Sequence, residues 1–139
     1  MNTDFQPIQP SDSVAEILNK MCTSNENEII FHYPIFKAIA NEATYASILN
    51  HFYEVSKKAL TFSPKLIIRA NLKSITVGSI DTHKRFIMES ITKMSVDLCD
   101  TLETCYLYKT PFVFTQIYNI ISIAIDKETK QKIQLIKHA

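Results

Sequence analysis

Apolar residues recur along this chain with two different periods, and the alternation between them outlines a fold. Val14, Ile17, Leu18 and Met21 share one face of a helix that Ser11 or Ser13 can cap. After the polar turn TSNENE, the run Ile29-Ile30-Phe31-His32-Tyr33 reads as a buried strand that Pro34 ends. From about residue 42 to residue 60, Tyr45, Ile48, Leu49, Phe52, Val55 and Leu60 return at helical spacing, with Lys57 and Lys58 favouring the carboxyl end of that helix.

The second half repeats the alternation. Ser63-Pro64 breaks the chain before a strand over residues 65–72, whose apolar centre suits burial on both faces. SITVGSID is read as a loop, and Asp81 or Thr82 as the cap of a helix from His83 to about Leu98 that carries Phe86, Ile87, Ile91 and Met94. A strand follows from Thr104 to Tyr108, Pro111 opens the helix FVFTQIYNIISIAI, and Asp126-Lys127-Glu128 turns the chain into a last strand from Ile133 to Ile136. Strands alternating with helices of this length need crossover connections. The class is therefore α/β: a mainly parallel sheet of about four to five strands, covered by helices. Residues 1–12, polar and with two prolines, are expected to form an extended arm, and residues 13–139 a single domain. On pattern alone a flavodoxin-like or thioredoxin-like domain fits equally well.

Composition removes several kinds of function. At 139 residues and 46% hydrophobic content, the chain can bury about two-thirds of its unfolded surface as one domain. Fifteen basic and 14 acidic residues leave a formal charge of +1, which gives no broad electrostatic case for nucleic acid. One glycine, Gly78, excludes the Gly-rich phosphate loops. Cys22, Cys99 and Cys105 are odd in number and lack metal spacing, and His32, His51, His83 and His138 lie far apart, so no disulfide framework, metal site or cofactor is expected. No nucleophile motif of a serine or cysteine hydrolase is present, and the expectation is a binding module and not an enzyme. With no basic-apolar leader and no run of roughly 20 apolar residues, the reading is a cytoplasmic, reduced setting without a transmembrane segment.

The segment from Asp97 to Ile136 carries a further signal. Lys109-Thr110-Pro111-Phe112 closes a strand ahead of a helix, and Asp126-Lys127-Glu128-Thr129-Lys130-Gln131-Lys132-Ile133 turns into the next strand. This order and spacing resembles the CRAL-TRIO (Sec14-like) lipid-binding family, which has Asn-Ala-Pro-aromatic at the first position and Asp-Pro-x-Thr-x-x-Lys-Ile at the second. The resemblance covers most of the chain from about Glu28 onward. Two family patterns are replaced: Asp-x-x-Gly by Ala70-Asn71-Leu72-Lys73-Ser74, and Tyr-Pro-Glu before the third strand by Leu98-Cys99-Asp100.

The resemblance implies a non-catalytic module for a phospholipid or other apolar ligand. In members that bind inositol phospholipids, the residues contacting the headgroup fall on Asp100, Thr129 and Lys132 here. An ammonium and a hydroxyl can satisfy a phosphate, while a carboxylate accepts from sugar hydroxyls. Each also has a plainer reading: Thr129 turns the chain, Lys132 is a solvated charge, and Asp100 caps the start of a strand. Phe112, Phe114 and Tyr118, with Ile117, Ile121 and Ile125, form a stripe that serves as core, as pocket lining or as a partner surface. Tyr106 and Tyr108 share one strand face, toward a pocket or toward a covering helix. Family carriers close their pocket with a gate helix beyond the last matched strand, and the sequence ends at Ala139. The alternative expectation is accordingly a protein-interaction scaffold that has lost lipid transfer, assembling with itself or with a partner, in a viral or cellular assembly or at a membrane surface.

Overall fold

In the computed structural model, which describes residues 6–136, Ser13 opens the first helix, α1 (Val14–Met21). Its Oγ accepts from the Glu16 N–H while Glu16 Oε1 accepts from the Ser13 N–H, both at 3.1 Å, so two donors at the helix start are satisfied reciprocally. Residues 1–5 of the expected arm, and 137–139 of the expected domain, lie outside the described residues. The stretch before α1 is held against it: Lys20 reaches back to Asp12 Oδ2 at 2.7 Å and to the Pro7 carbonyl at 3.0 Å, and Ile8 packs on the core.

The expected turn TSNENE is in part a strand. α1 runs directly into β1 (Cys22–Asn25), and Glu26-Asn27, with Glu26 at φ 55°, turns the chain into β2 (Glu28–His32). β1 pairs antiparallel with β2 from Cys22↔Phe31 to Asn25↔Glu28. It lies at the edge of the sheet, where a short polar strand discourages further pairing, so only its first residue, Cys22, needs to be buried. Pro34 ends β2 but also opens a helix the sequence reading lacks, α2 (Tyr33–Ile39), since a first-turn proline sacrifices no helix bond. Tyr33 belongs to that helix and not to the strand.

α3 (Tyr45–Ala59) and β3 (Leu66–Asn71) fall where the periodicity puts them. α4 (Val77–Asp97) starts six residues before the expected His83 and takes in part of the supposed loop. The cap is Thr76, whose Oγ1 accepts from Ser79 N while Ser79 Oγ accepts from Thr76 N, each at 3.0 Å. Buried Ile75 and Ile80 flank that cap, and Gly78 stands in the first turn, where it costs less than the roughly 1 kcal/mol of a helix interior. β4 (Leu102–Tyr108) is two residues longer than expected. α5 (Phe114–Ile121) begins only after a turn through Pro111, where the Phe114 N–H bonds to the Pro111 carbonyl, so Phe112 and Val113 are outside it. A single 3-10 turn (Ser122–Ala124), the short α6 (Lys127–Lys130) capped by Asp126, and β5 (Ile133–Ile136) complete the described chain.

The five strands lie side by side in chain order, β1-β2-β3-β4-β5, with β2 to β5 parallel. A sheet built stepwise in one direction by crossovers of one hand carries every crossover on the same face. The register agrees. Phe31, Ala70, Leu107 and Leu135 form one cross-strand row, and Ile29, Ile68, Cys105 and Ile133 form another; both face α3, α4 and α5. The rows between them, Ile30-Arg69-Tyr106-Gln134 and His32-Asn71-Tyr108-Ile136, point to the opposite face. That second face is stitched by charge: Arg69 donates to Glu28 Oε1 from Nε at 3.2 Å and Nη2 at 3.0 Å, to Tyr108 Oη from Nη1, and lies 4.8 Å from the Tyr106 ring centroid. On the helical side, Met21, Phe36, Ile48 and Ile117 are fully buried.

Candidate functional site

Between the helical face of the sheet and its crossover helices lies a cavity of about 360 Å³. The sheet contributes Ile29, Phe31, Ile68, Ala70, Cys105 and Leu107 as its floor. Phe52 of α3, Phe86, Ile87, Ile91 and Met94 of α4, and Phe114 and Tyr118 of α5 form the walls. Alternation along each strand puts every second side chain here, and the helices turn their apolar stripes to the same space. Native interiors leave few voids larger than a water molecule, and an apolar cavity of about 150 Å³ already holds benzene. This one has the volume for a larger apolar guest.

The chemistry of the walls is narrow. No Lys, Arg, His, Asp or Glu side chain lines the cavity among the described residues. Its polar groups are hydroxyls and thiols: the Tyr33 phenol donates to Ser79 Oγ at 2.8 Å, Ser56 Oγ donates to the Phe52 carbonyl at 2.8 Å, and Thr129 lies at one end. Burial pushes the thiols of Cys22 and Cys105 up to about 12, because a thiolate would lose its hydration there. Both thiols are uncharged wall atoms. No group in the described walls is built to activate a nucleophile or to hold a metal. The space can take up an apolar molecule.

The residues singled out in the sequence divide among four places. Phe114 and Tyr118 line the cavity. Tyr106 and Tyr108 lie on the other face of the sheet, beside Arg69, and Phe112 is fully exposed in the turn before α5. Asp100, Thr129 and Lys132 gather near the start of β4. Asp100 is exposed at φ 62°, and its carbonyl accepts from Lys65 Nζ. The Thr129 N–H bonds to Asp126 Oδ1 at 2.7 Å. Lys132 Nζ donates to the Leu102 carbonyl at 2.8 Å and lies 3.6 Å from Glu128. Carboxylates are dense around them: Asp100, then Glu128 and Asp126, hold the nearby Cys99 thiol above its ordinary value. Most of the cavity lining, Ser90 of α4 above all, escaped the sequence reading. A signal for Ser90 exists, because it falls within the stripe Phe86, Ile87, Ile91 and Met94 at core spacing.

A mostly parallel sheet covered on one face by its crossovers, with an apolar space between, defines a single α/β domain of ligand-pocket architecture. Residues 44–139 match the profile of the CRAL/TRIO domain, and the chain belongs to that family, whose domains are lipid-binding modules. Among solved structures, the crystal structure of Sfh5, a Sec14-like protein, superposes with a TM-score of 0.64 over 83% of this chain at 16% identity. The likeness is one of fold. It spans 46% of Sfh5's own length and takes in residues before 44. Nothing among curated proteins matches. No helix among the described residues is long and apolar enough to cross a membrane.

Proposed function

We propose that this protein is a non-catalytic module that takes a single apolar ligand, one chain of lipid size or its equivalent, into the cavity between the sheet and α3, α4 and α5. The observation that carries this is the cavity of about 360 Å³ with no charged residue in its described walls. Its volume lies at the small end of ligand pockets, which suits one aliphatic chain better than the two of a diacyl phospholipid. Each CH₂ transferred from water into such walls contributes about 0.8 kcal/mol. Native mass spectrometry and solvent extraction of the purified protein should find one small apolar molecule per chain. A protein that carries none and also fails to take up Nile red would overturn the reading.

A finer possibility is that Asp100, Thr129 and Lys132 recognise a phosphoinositide headgroup at the edge of this space. Their common location near the start of β4, with Thr129 in the cavity wall, supports it; the carboxylates around them and the ties of Lys132 to Leu102 and Glu128 weigh against it. Sedimentation with phosphoinositide vesicles decides: binding that Lys132→Gln reduces tenfold or more supports headgroup recognition, and binding indifferent to that change removes it. A ligand-free protein that instead assembles into larger complexes would point to the scaffold alternative.

A further inference from the structure

Among the described residues one fully buried polar side-chain atom has no hydrogen-bond partner, the hydroxyl oxygen of Ser90 in the cavity wall. Ser90 is 6% exposed, at the middle of α4, and lines the apolar space. A buried hydroxyl in a helix ordinarily turns back to the carbonyl four residues earlier, and the neighbouring hydroxyls of α4 do so. Thr82 donates to the Gly78 carbonyl at 3.0 Å, Thr92 to Met88 at 2.9 Å and Ser95 to Ile91 at 2.8 Å. Ser56, across the cavity on α3, does the same to Phe52. Ser90 alone among these leaves its bond unmade. An unpaired hydroxyl removed from water costs stability, so its position marks where a partner belongs.

Resting on the cavity reading above, we propose that Ser90 is the polar anchor of the site, and that the ligand is a neutral, single-chain lipid carrying one hydroxyl or carbonyl oxygen. The Ser90 hydroxyl donates to either oxygen and also accepts from an alcohol. A carboxylate or phosphate does not fit at this depth, because no cationic side chain in the described walls offsets the loss of its hydration. The ligand then lies with its tail along the sheet floor of Ile68, Ala70 and Leu107 and its oxygen toward the middle of α4.

The test compares octanol with nonane, in which a methyl group replaces the hydroxyl, by displacement of Nile red from wild type, Ser90→Ala and, as a control outside the cavity, Thr92→Ala. Ser90→Ala removes only an unbonded atom, so the variant keeps the wild-type circular dichroism spectrum and melting temperature or a slightly higher one. Octanol affinity should fall about fivefold in Ser90→Ala while nonane affinity is unchanged, and Thr92→Ala should match wild type for both. If Ser90→Ala binds octanol as wild type does, the anchor is refuted while the apolar site stands. If wild type binds neither compound, the apolar site fails and the anchor with it.

Discussion

The phenol of Tyr45 meets Nδ1 of His83 at 2.6 Å, tying the start of α3 to the first turns of α4. Tyr45 also stacks on Phe86, 4.2 Å between centroids and 7° between planes, and Phe86 is a wall of the cavity. His83 is buried, and loss of hydration lowers its pKa from 6.5, so folding disfavours the charged ring. Around and below 6.5 the unfolded chain binds a proton there more readily than the folded one, so stability falls as pH falls; well above 6.5 both are deprotonated and this dependence fades. Urea midpoints measured across that window should decline on the acid side, with a shallower decline in His83→Gln. An equal slope in the variant would assign the effect elsewhere.

Arg69 holds the second face of the sheet together. Its side chain and that of Glu28 are each about four-fifths shielded, so removing the guanidinium leaves a carboxylate and the Tyr108 hydroxyl short of a partner. Arg69→Ala should lose about 2 kcal/mol in urea unfolding, between the cost of a single hydrogen bond and that of breaking a fully buried pair. Arg69→Lys should recover less than half of it, because an ammonium cannot reproduce the fork to Glu28 and the contact with Tyr106. The binding of apolar ligands, on the other side of the sheet, should not change.

Ala70 is the smallest side chain in the cavity floor, between Phe31 and Leu107 in its row. Ala70→Leu fills part of the space from below. Its added methylenes, at about 0.8 kcal/mol each, should keep stability at or slightly above that of wild type despite local crowding, while Nile red uptake falls at least tenfold. A variant that binds the dye as wild type does would place the dye elsewhere.

Two of the three thiols report on the same compartment. Cys99 is exposed, whereas Cys22 and Cys105 sit in the cavity wall with their pKa pushed up to about 12. A neutral thiol-reactive reagent should modify exposed Cys99 first, half-buried Cys105 more slowly, and buried Cys22 only on unfolding. Modification of Cys105 that an apolar ligand does not slow would place that ligand outside the cavity.

How much of this was legible in the sequence follows from the strength of each local pattern. β3, β4 and β5 carry apolar runs bounded by turn residues, and α3 a long amphipathic stripe, so each could be read in place. β1 could not: an edge strand half-exposed to water has no need of the alternation that betrays a strand. α2 and the first turns of α4 were hidden behind Pro34 and Gly78, residues that usually mark breaks but here stand in first turns, where their costs are small. The family signal in the tail held because its turn and strand are structural. Which face Tyr106 and Tyr108 occupy depends on the pairing register, and the lining of the cavity depends on how three helices seat on one sheet. Neither is a local property.

Because the strands stand in the sheet in the order in which they occur in the chain, each strand's neighbour is already made when it leaves the ribosome, and none has to wait for one not yet synthesised. Sheet growth then consists of a series of short-range additions, which keeps contact order low for a parallel architecture. Cys105, Leu107, Phe114 and Tyr118 all come from the last third of the chain, so the ligand compartment is the last part of the described fold to be enclosed. On the proposed reading, a guest is captured as the protein finishes folding as well as afterwards.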